Sequence, residues 1–269
     1  MSKILTLLFF LAANLTFSQN YMEGKRLYCK SENPEAMKSF DGGIEILYLN
    51  KTLDKKYLKL TAEVFFEAYQ KDTTFCDALF FTGYTMSLLG DQKAISFYLM
   101  ADSLANNRSV EFKINLASEF IKFGTEKSIT LARKKYNEIK QYFPEDPEGY
   151  YGLALTSAMF GEPKIGLENL DISVEKYKKK NLEVRSEVVY LRGILLAQDK
   201  QYEEGLVHLE RSYDTHKRDE QFKIHYALCL LKVSEIRRDP KMMQKAKKIY
   251  DKIEDKSSIS AATASLLVF

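Results

Sequence analysis

Apolar residues recur at helical spacing, separated by short polar links, along most of this chain. The clearest example is Ser186–Tyr213, in which Gly193 lies in the middle of one apolar helical pattern and Tyr202 opens a second. The polar link 198–201 is long enough only for a tight turn, so the two helices are expected to form an antiparallel hairpin. Gly193 and Gly205 are small residues within the two patterns, and they allow the helix backbones to approach closely.

Weaker copies of this hairpin recur at nearly fixed spacing, which predicts a repeat protein. The recurring positions in the best copy are Val189, Gly193, Leu196, Lys200, Tyr202, Gly205, Leu209 and Ser212. This set resembles the tetratricopeptide repeat, a helical hairpin of about 34 residues with large apolar, small and aromatic residues at fixed places. The resemblance covers about residues 34–254. It implies an all-α, right-handed α-solenoid of about six helix-turn-helix repeats.

The prolines support this assignment because all five fall at predicted element boundaries. They are Pro34, Pro144, Pro147, Pro163 and Pro240. Proline lacks the N–H that a helix interior requires, so such a placement favours the predicted boundaries. The first repeat is expected to combine helices over 34–49 and 53–70. Gly42 and Gly43 should weaken the first of these by about 1 kcal/mol each relative to alanine.

The N-terminus carries the pattern of a secretory signal peptide. Lys3 precedes an apolar run from Ile4 to Leu15, and small residues favour cleavage after Ser18. The run is shorter than the roughly 20 residues that span a bilayer, and no later segment reaches that length. We therefore expect export without stable membrane insertion after cleavage, an uncleaved N-terminal anchor being the alternative. Signal and composition together resemble an exported, periplasmic protein of Gram-negative Bacteroidota.

These patterns divide the chain into four parts. Residues 1–18 are the signal peptide, 19–33 an N-terminal lead-in and 34–254 the repeat array. Residues 255–269 are expected to form a C-terminal capping helix over the open end of the array. Because this segment is rich in apolar residues, it is also a candidate surface for self-association.

The composition of the chain reduces the number of function classes to be considered. The 269 residues are 45% hydrophobic and 29% charged, with a net charge of +3 and both signs intermixed, so the large single-sign field of a nucleic-acid binder is absent. The densest basic run, Lys176–Lys180, falls at the end of a predicted helix, where cations complement the helix dipole.

The three cysteines are too few for a disulfide framework. Cys229 lies on an apolar helix face, where cysteine behaves as a small hydrophobic residue. The sequence leaves open a single bridge between Cys29 and Cys76.

No arrangement of catalytic or metal-binding residues stands out. His208, His216 and His225 are eight and nine residues apart, unlike the three- or four-residue spacing of two metal ligands on one helix face. Gly-rich phosphate loops and Cys-x-x-Cys motifs are also absent. We expect a protein that is not an enzyme and that uses no cofactor and no metal.

The resemblance implies a concave groove lined mainly by the first helix of each repeat. Transferred to this sequence, the lining consists of Phe80, Tyr84, Ile114, Tyr151, Leu155, Tyr190, Ile194, Ile224 and Leu228, with Ser118 beside them. Such a wall suits a peptide whose side chains insert between repeats, although the same positions could serve helix packing. If they form the groove, replacing Tyr151 and Tyr190 by alanine should abolish partner binding and leave folding intact.

Acidic residues recur at the second position of the repeats. Asp77, Glu111, Glu148 and Glu187 could select basic partners, but their place in the first turn of a helix favours a simple interaction with the dipole. The function expected from the sequence is a non-catalytic protein- or peptide-binding scaffold or adaptor in the cell envelope. A dedicated accessory subunit of an envelope enzyme, uptake or secretion complex is the alternative.

Overall fold

A computed structural model describes residues 27–50, 52 and 54–269. The predicted signal peptide and the first part of the lead-in lie outside these ranges. The described residues form helices joined by short links, without β-strands. The helices are α1 Pro34–Leu49, α2 Lys55–Lys71, α3 Cys76–Leu88, α4 Ala94–Ala105, α5 Val110–Lys122, α6 Glu126–Tyr142, α7 Pro147–Phe160, α8 Pro163–Lys179, α9 Ser186–Gln198, α10 Tyr202–His216, α11 Glu220–Arg237, α12 Pro240–Tyr250 and α13 Ala261–Ala264.

Several of these helices begin where the sequence supplies a cap. The side chains of Asn33, Asp54, Asp146, Asp219 and Asp239 accept hydrogen bonds from N–H groups of the following first turn. Proline occupies the start of α1, α7, α8 and α12, and Pro144 lies in the link between α6 and α7. The predicted placement of all five prolines at element boundaries is therefore confirmed.

Contacts divide the described chain into two units, residues 27–120 and 121–269, with the division inside α5. In the first unit, α1 packs on α2, α2 on α3, and α3 on α4. Its core is aromatic: Phe40 lies 4.9 Å from Phe75 and 5.4 Å from Phe65 between ring centroids. Helix α3 is buried on all sides over ten consecutive residues from Cys76 to Thr85.

In the second unit each helix from α6 to α12 packs on the next one along the chain. The first helices of the hairpins, α7, α9 and α11, also contact one another in that order. The second helices bury only one stripe; in α8 this stripe is Gly166, Leu170, Ser173 and Tyr177, at helical spacing. The predicted fold class, an all-α solenoid architecture of helical hairpins, is confirmed.

The C-terminal segment differs from the expected capping helix over 255–269. It forms a 3-10 turn at Lys256–Ser258 and the single-turn helix α13. Asp255 accepts a hydrogen bond from the N–H of Ser257, and the Ser260 hydroxyl accepts one from the N–H of Thr263. These local side-chain hydrogen bonds compete with those of a continuous helix. The segment therefore forms two short helical turns in place of one helix.

None of the helices in the described ranges has both the length and the apolar character needed to cross a bilayer.

The adjacent glycines of α1 provide a matched test of the packing. A Cβ atom on Gly43 would lie 2.7 Å from Cε1 of Phe65, whereas one on Gly42 would meet nothing within 4 Å. Gly42→Ala should raise the free energy of unfolding by about 1 kcal/mol because alanine favours the helix. Gly43→Ala should lower it by about 1–2 kcal/mol because the Phe65 ring must shift within a packed core. Urea denaturation followed by circular dichroism measures both, and stabilisation by both variants would contradict the packing at Gly43.

Candidate functional site

The predicted groove residues are largely inside the structure. Ile114 is half-buried, and the other eight are buried. In the first unit the ring of Phe80 stacks on Phe112 at 4.4 Å, and Tyr84 lies edge-on to Phe81. Burial of this extent leaves little of these side chains for a partner to touch.

The groove residues of the second unit lie on α7, α9 and α11. Tyr190 is 1% exposed and lies 5.4 Å from Phe222 and 4.8 Å from His216 between ring centroids. Leu155, Ile194, Ile224 and Leu228 are also buried on these mutually contacting helices. We therefore assign Tyr190 to packing and revise the expectation that its removal leaves folding intact. That the predicted groove residues form a binding groove stays a prediction.

The recurring acidic residues do more than complement helix dipoles. All four lie in the first turn of their helices, as predicted. Asp77 is fully buried, and its carboxylate accepts hydrogen bonds from the main-chain N–H groups of Tyr28 at 2.9 Å and Cys29 at 2.7 Å. The hydroxyl of Tyr28 donates to the carboxylate of Glu111. A segment preceding α1 thus lies across the beginnings of α3 and α5.

This segment, residues 27–31, is called the N-terminal strap below. Cys29 and Cys76 form a disulfide with a Cα–Cα distance of 5.3 Å, which decides the alternative that the sequence left open. The ring of Tyr28 lies edge-on to Phe112 at 5.4 Å, and the hydroxyl of Ser31 donates to Asp72. Burial and the Glu111 carboxylate raise the pKa of Tyr28, so its hydroxyl remains a donor at neutral pH.

A second polar cluster surrounds Glu148 at the start of α7. Arg185 donates to its carboxylate at 2.9 Å, and the Tyr177 hydroxyl donates to it as well. The guanidinium lies 5.0 Å from the ring centroid of Tyr151 and 5.9 Å from that of Tyr177, close enough for cation–π attraction. Burial raises the pKa of Glu148, while Arg185 and Tyr177 favour its carboxylate form. The fourth acid, Glu187, is half-buried.

Solved structures similar to this chain identify its fold. No family model matches the sequence, and no curated protein matches it. Among solved structures, a tetratricopeptide repeat protein from Parabacteroides merdae ATCC 43184 superposes with a TM-score of 0.59 at 20% identity, covering 82% of each chain. The chain has the tetratricopeptide-repeat fold.

Two further structures share the tetratricopeptide-repeat fold of this chain. The APC/C hetero-tetramer Cut9–Hcn1 gives a TM-score of 0.63 at 16% identity over 95% of this chain, which spans only 45% of the matched chain. YrrB, described as a TPR protein with an unusual peptide-binding site, gives 0.53 at 16% identity, covering 71% of this chain and 94% of YrrB. Identities this low establish the fold alone.

Within this fold the basic run at the end of α8 pairs with neighbouring acids. Lys176 and Lys179 contact Glu145 at 3.3 and 3.0 Å, and Lys180 lies 3.6 Å from Asp146. The run lies at the end of a helix, as predicted, and these ion pairs add partners that the sequence did not indicate.

Two of the three histidines, His216 and His225, have polar partners within the chain. His225 is buried with Nδ1 2.8 Å from the carbonyl oxygen of Gln221, and Nε2 of His216 lies 3.3 Å from the Ser186 hydroxyl. Burial lowers the pKa of all three histidines. In the described part of the chain, the cysteine, histidine and acidic side chains that come close enough to hold a metal are Cys29, Cys76 and Asp77, and both sulfurs are in the disulfide.

The Glu148 cluster gives a pH-dependent prediction. Arg185→Leu should lower the free energy of unfolding by about 2 kcal/mol at neutral pH, between the values for surface and buried ion pairs, because the carboxylate loses its cation. Loss of Arg185 raises the folded-state pKa of Glu148 further above its unfolded value. The penalty is therefore largest above that pKa and shrinks as pH falls through it.

Urea denaturation of wild type and variant at several pH values tests this prediction. Arg185→Lys is the matched control because it retains the charge and should lose less stability. A loss of stability that does not vary with pH would show that contact with Tyr151, rather than charge, is what Arg185 supplies.

Proposed function

We propose that this chain is a non-catalytic scaffold that binds proteins or peptides. The observation that carries the proposal is the N-terminal strap, a short peptide segment that bends at Tyr28 and Cys29 and is held across α3 and α5 by side chains of the repeats. Main-chain N–H groups donate to Asp77, an aromatic hydroxyl donates to Glu111, and the same aromatic ring packs on Phe112. Main-chain hydrogen bonds combined with side-chain contacts are a general means of recognising a peptide segment.

The relatives in fold support the same function. YrrB is described as having a peptide-binding site, and Cut9–Hcn1 is a protein assembly. Ile114, which is half-buried and lies one helical turn after Glu111, is the predicted groove residue most accessible to a partner. We propose that a partner peptide approaches α5 at this place.

We further propose that the protein acts in the envelope of a Gram-negative bacterium, most simply in the periplasm. The signal-like N-terminus supports this location, and so does the Cys29–Cys76 disulfide, because such bonds persist mainly in oxidising compartments. Fusing residues 1–40 to alkaline phosphatase, which is active only outside the cytoplasm, tests export. Inactive fusions, together with free thiols at Cys29 and Cys76 in cells, would refute the location.

Site-specific photo-crosslinking in the full-length chain tests the binding function. A benzoylphenylalanine at position 114 should give adducts with other proteins, and Glu111→Gln should reduce them. The control position is Ile165, which is 51% exposed on the second helix of a hairpin. Identical adducts from positions 114 and 165 would contradict a peptide site at α5.

The adducts also separate the forms that the function could take. One adduct of fixed stoichiometry would favour a dedicated accessory subunit, and many weak adducts would favour a general adaptor. Adducts between two copies of this chain would indicate self-association.

A further inference from the structure

We propose that the N-terminal strap is a tethered occupant of the peptide site on α3 and α5, and that reduction of the Cys29–Cys76 disulfide opens this site to an external peptide. The inference rests on the proposed function, to which it adds a ligand class and a means of regulation. The ligand is a peptide segment that bends at a tyrosine and the residue after it, and that offers the main-chain N–H groups of both.

The contacts of the strap are of two kinds. The hydrogen bonds to Asp77 and Glu111 and the ring contact with Phe112 are non-covalent, so another peptide can reproduce them. The disulfide is the one contact that an external peptide cannot replace. While it is intact, the strap is held beside the site at a high effective concentration, so a competing peptide binds more weakly than it would to an open site.

The chemistry of Asp77 explains why the site favours an occupied state. Its side chain is fully buried, and departure of the strap removes two of its hydrogen-bond donors. A buried carboxylate that loses donors is destabilised, so the open site attracts N–H groups. A peptide that bends as the strap does supplies two such groups from consecutive residues, and Glu111 then selects a hydroxyl donor beside them.

Opening requires a dithiol reductant and proceeds by thiol–disulfide exchange. A thiolate of the reductant attacks Sγ of Cys29, which is 9% exposed, whereas Cys76 is fully buried. Cys76 leaves as a thiolate and takes up a proton, and the second thiol of the reductant then releases Cys29 as a thiol. Two electrons pass to the protein and the reductant becomes a disulfide.

Charged groups near the bond influence this direction of attack. The guanidinium of Arg108 lies 3.3 Å from Sγ of Cys29 and attracts an incoming thiolate. Cys76 is the first residue of α3, where the helix dipole favours a thiolate, but the Asp77 carboxylate 3.9 Å from its Sγ opposes that charge, so the leaving sulfur takes up a proton.

The test uses a fluorescent peptide with the sequence of residues 26–33 and the change Cys29→Ser, titrated into the full-length protein. Binding should be at least about tenfold tighter to dithiol-reduced protein, or to the Cys29→Ser variant, than to oxidised protein, because the disulfide holds the competing strap at a high effective concentration. Glu111→Gln in the reduced protein, or phenylalanine in place of the peptide's tyrosine, should weaken binding. Cys229→Ser, which removes the buried free thiol, is the matched control and should change nothing.

Hydrogen exchange at the amides of Tyr28 and Cys29 distinguishes the possible failures. Amides that stay protected after reduction, or a peptide that binds oxidised and reduced protein equally, would overturn the regulation and leave the proposed function in place. Amides that become exposed while no peptide binds would overturn the peptide site and with it the proposed function. A thermal melt by circular dichroism verifies that the reduced protein and its variants remain folded.

Discussion

Tyr190→Ala should lower the free energy of unfolding by about 3–5 kcal/mol. The side chain is 1% exposed and packs between the rings of Phe222 and His216, so its removal leaves a cavity at the contact of α9 with α11. Urea denaturation should show a lower midpoint with an unchanged dependence on urea concentration.

Tyr190→Phe is the matched control for this prediction. It retains the ring and loses the contact of the hydroxyl with Asp219 at 3.4 Å, so it should cost about 1 kcal/mol. If Tyr190→Ala instead kept its stability and lost its crosslinked partners, Tyr190 would belong to the groove that the sequence predicts.

Gly193→Leu should destabilise the protein by about 3 kcal/mol. A Cβ atom at this position would lie 2.8 Å from Cγ of Leu209 and 3.2 Å from the carbonyl oxygen of Gly205. The backbone of α10 cannot yield as a side-chain end can, so α9 and α10 would have to separate. The midpoint of thermal unfolding measures the effect.

Two further variants isolate its cause. Gly42→Leu makes the same substitution in α1 where no atom lies within 4 Å of the new Cβ, and it should not destabilise the protein, because leucine favours a helix nearly as well as alanine does. Adding Leu209→Ala to Gly193→Leu removes one of the two clashing groups and should recover part of the lost stability. If the double variant is no more stable than Gly193→Leu, the clash with the Gly205 backbone alone causes the loss of stability.

The fold could be predicted from the sequence because the patterns that specify it, helix starts, apolar spacing and short links, each span only a few residues. Helix α1 spans Pro34–Leu49, as expected, since Asn33 and Pro34 specify its start within two residues. The hairpin of α9 and α10 follows from apolar spacing and one short link. Each repeat makes its main contacts with sequence neighbours, so a correct local assignment is sufficient for the architecture.

The candidate site was harder to predict because its contacts join distant residues. Asp77 binds Tyr28 and Cys29 across 49 and 48 residues, and neither partner carries a local pattern. The family resemblance places Tyr190 in a groove, because a repeat position identifies a helix face but not what covers that face in this chain. Helix α9 contacts α8, α10, α7 and α11, so most of its faces are covered.

The disulfide has a mechanical consequence. It closes a covalent loop of 47 residues that contains the whole first hairpin, α1 and α2. Terminal repeats of a linear array usually fray first, but force applied at the N-terminus of this chain would pass through Cys29 directly to Cys76 and bypass that hairpin. The residues inside the loop would span roughly 160 Å if fully extended. Force applied at this end cannot extend them until the disulfide is reduced.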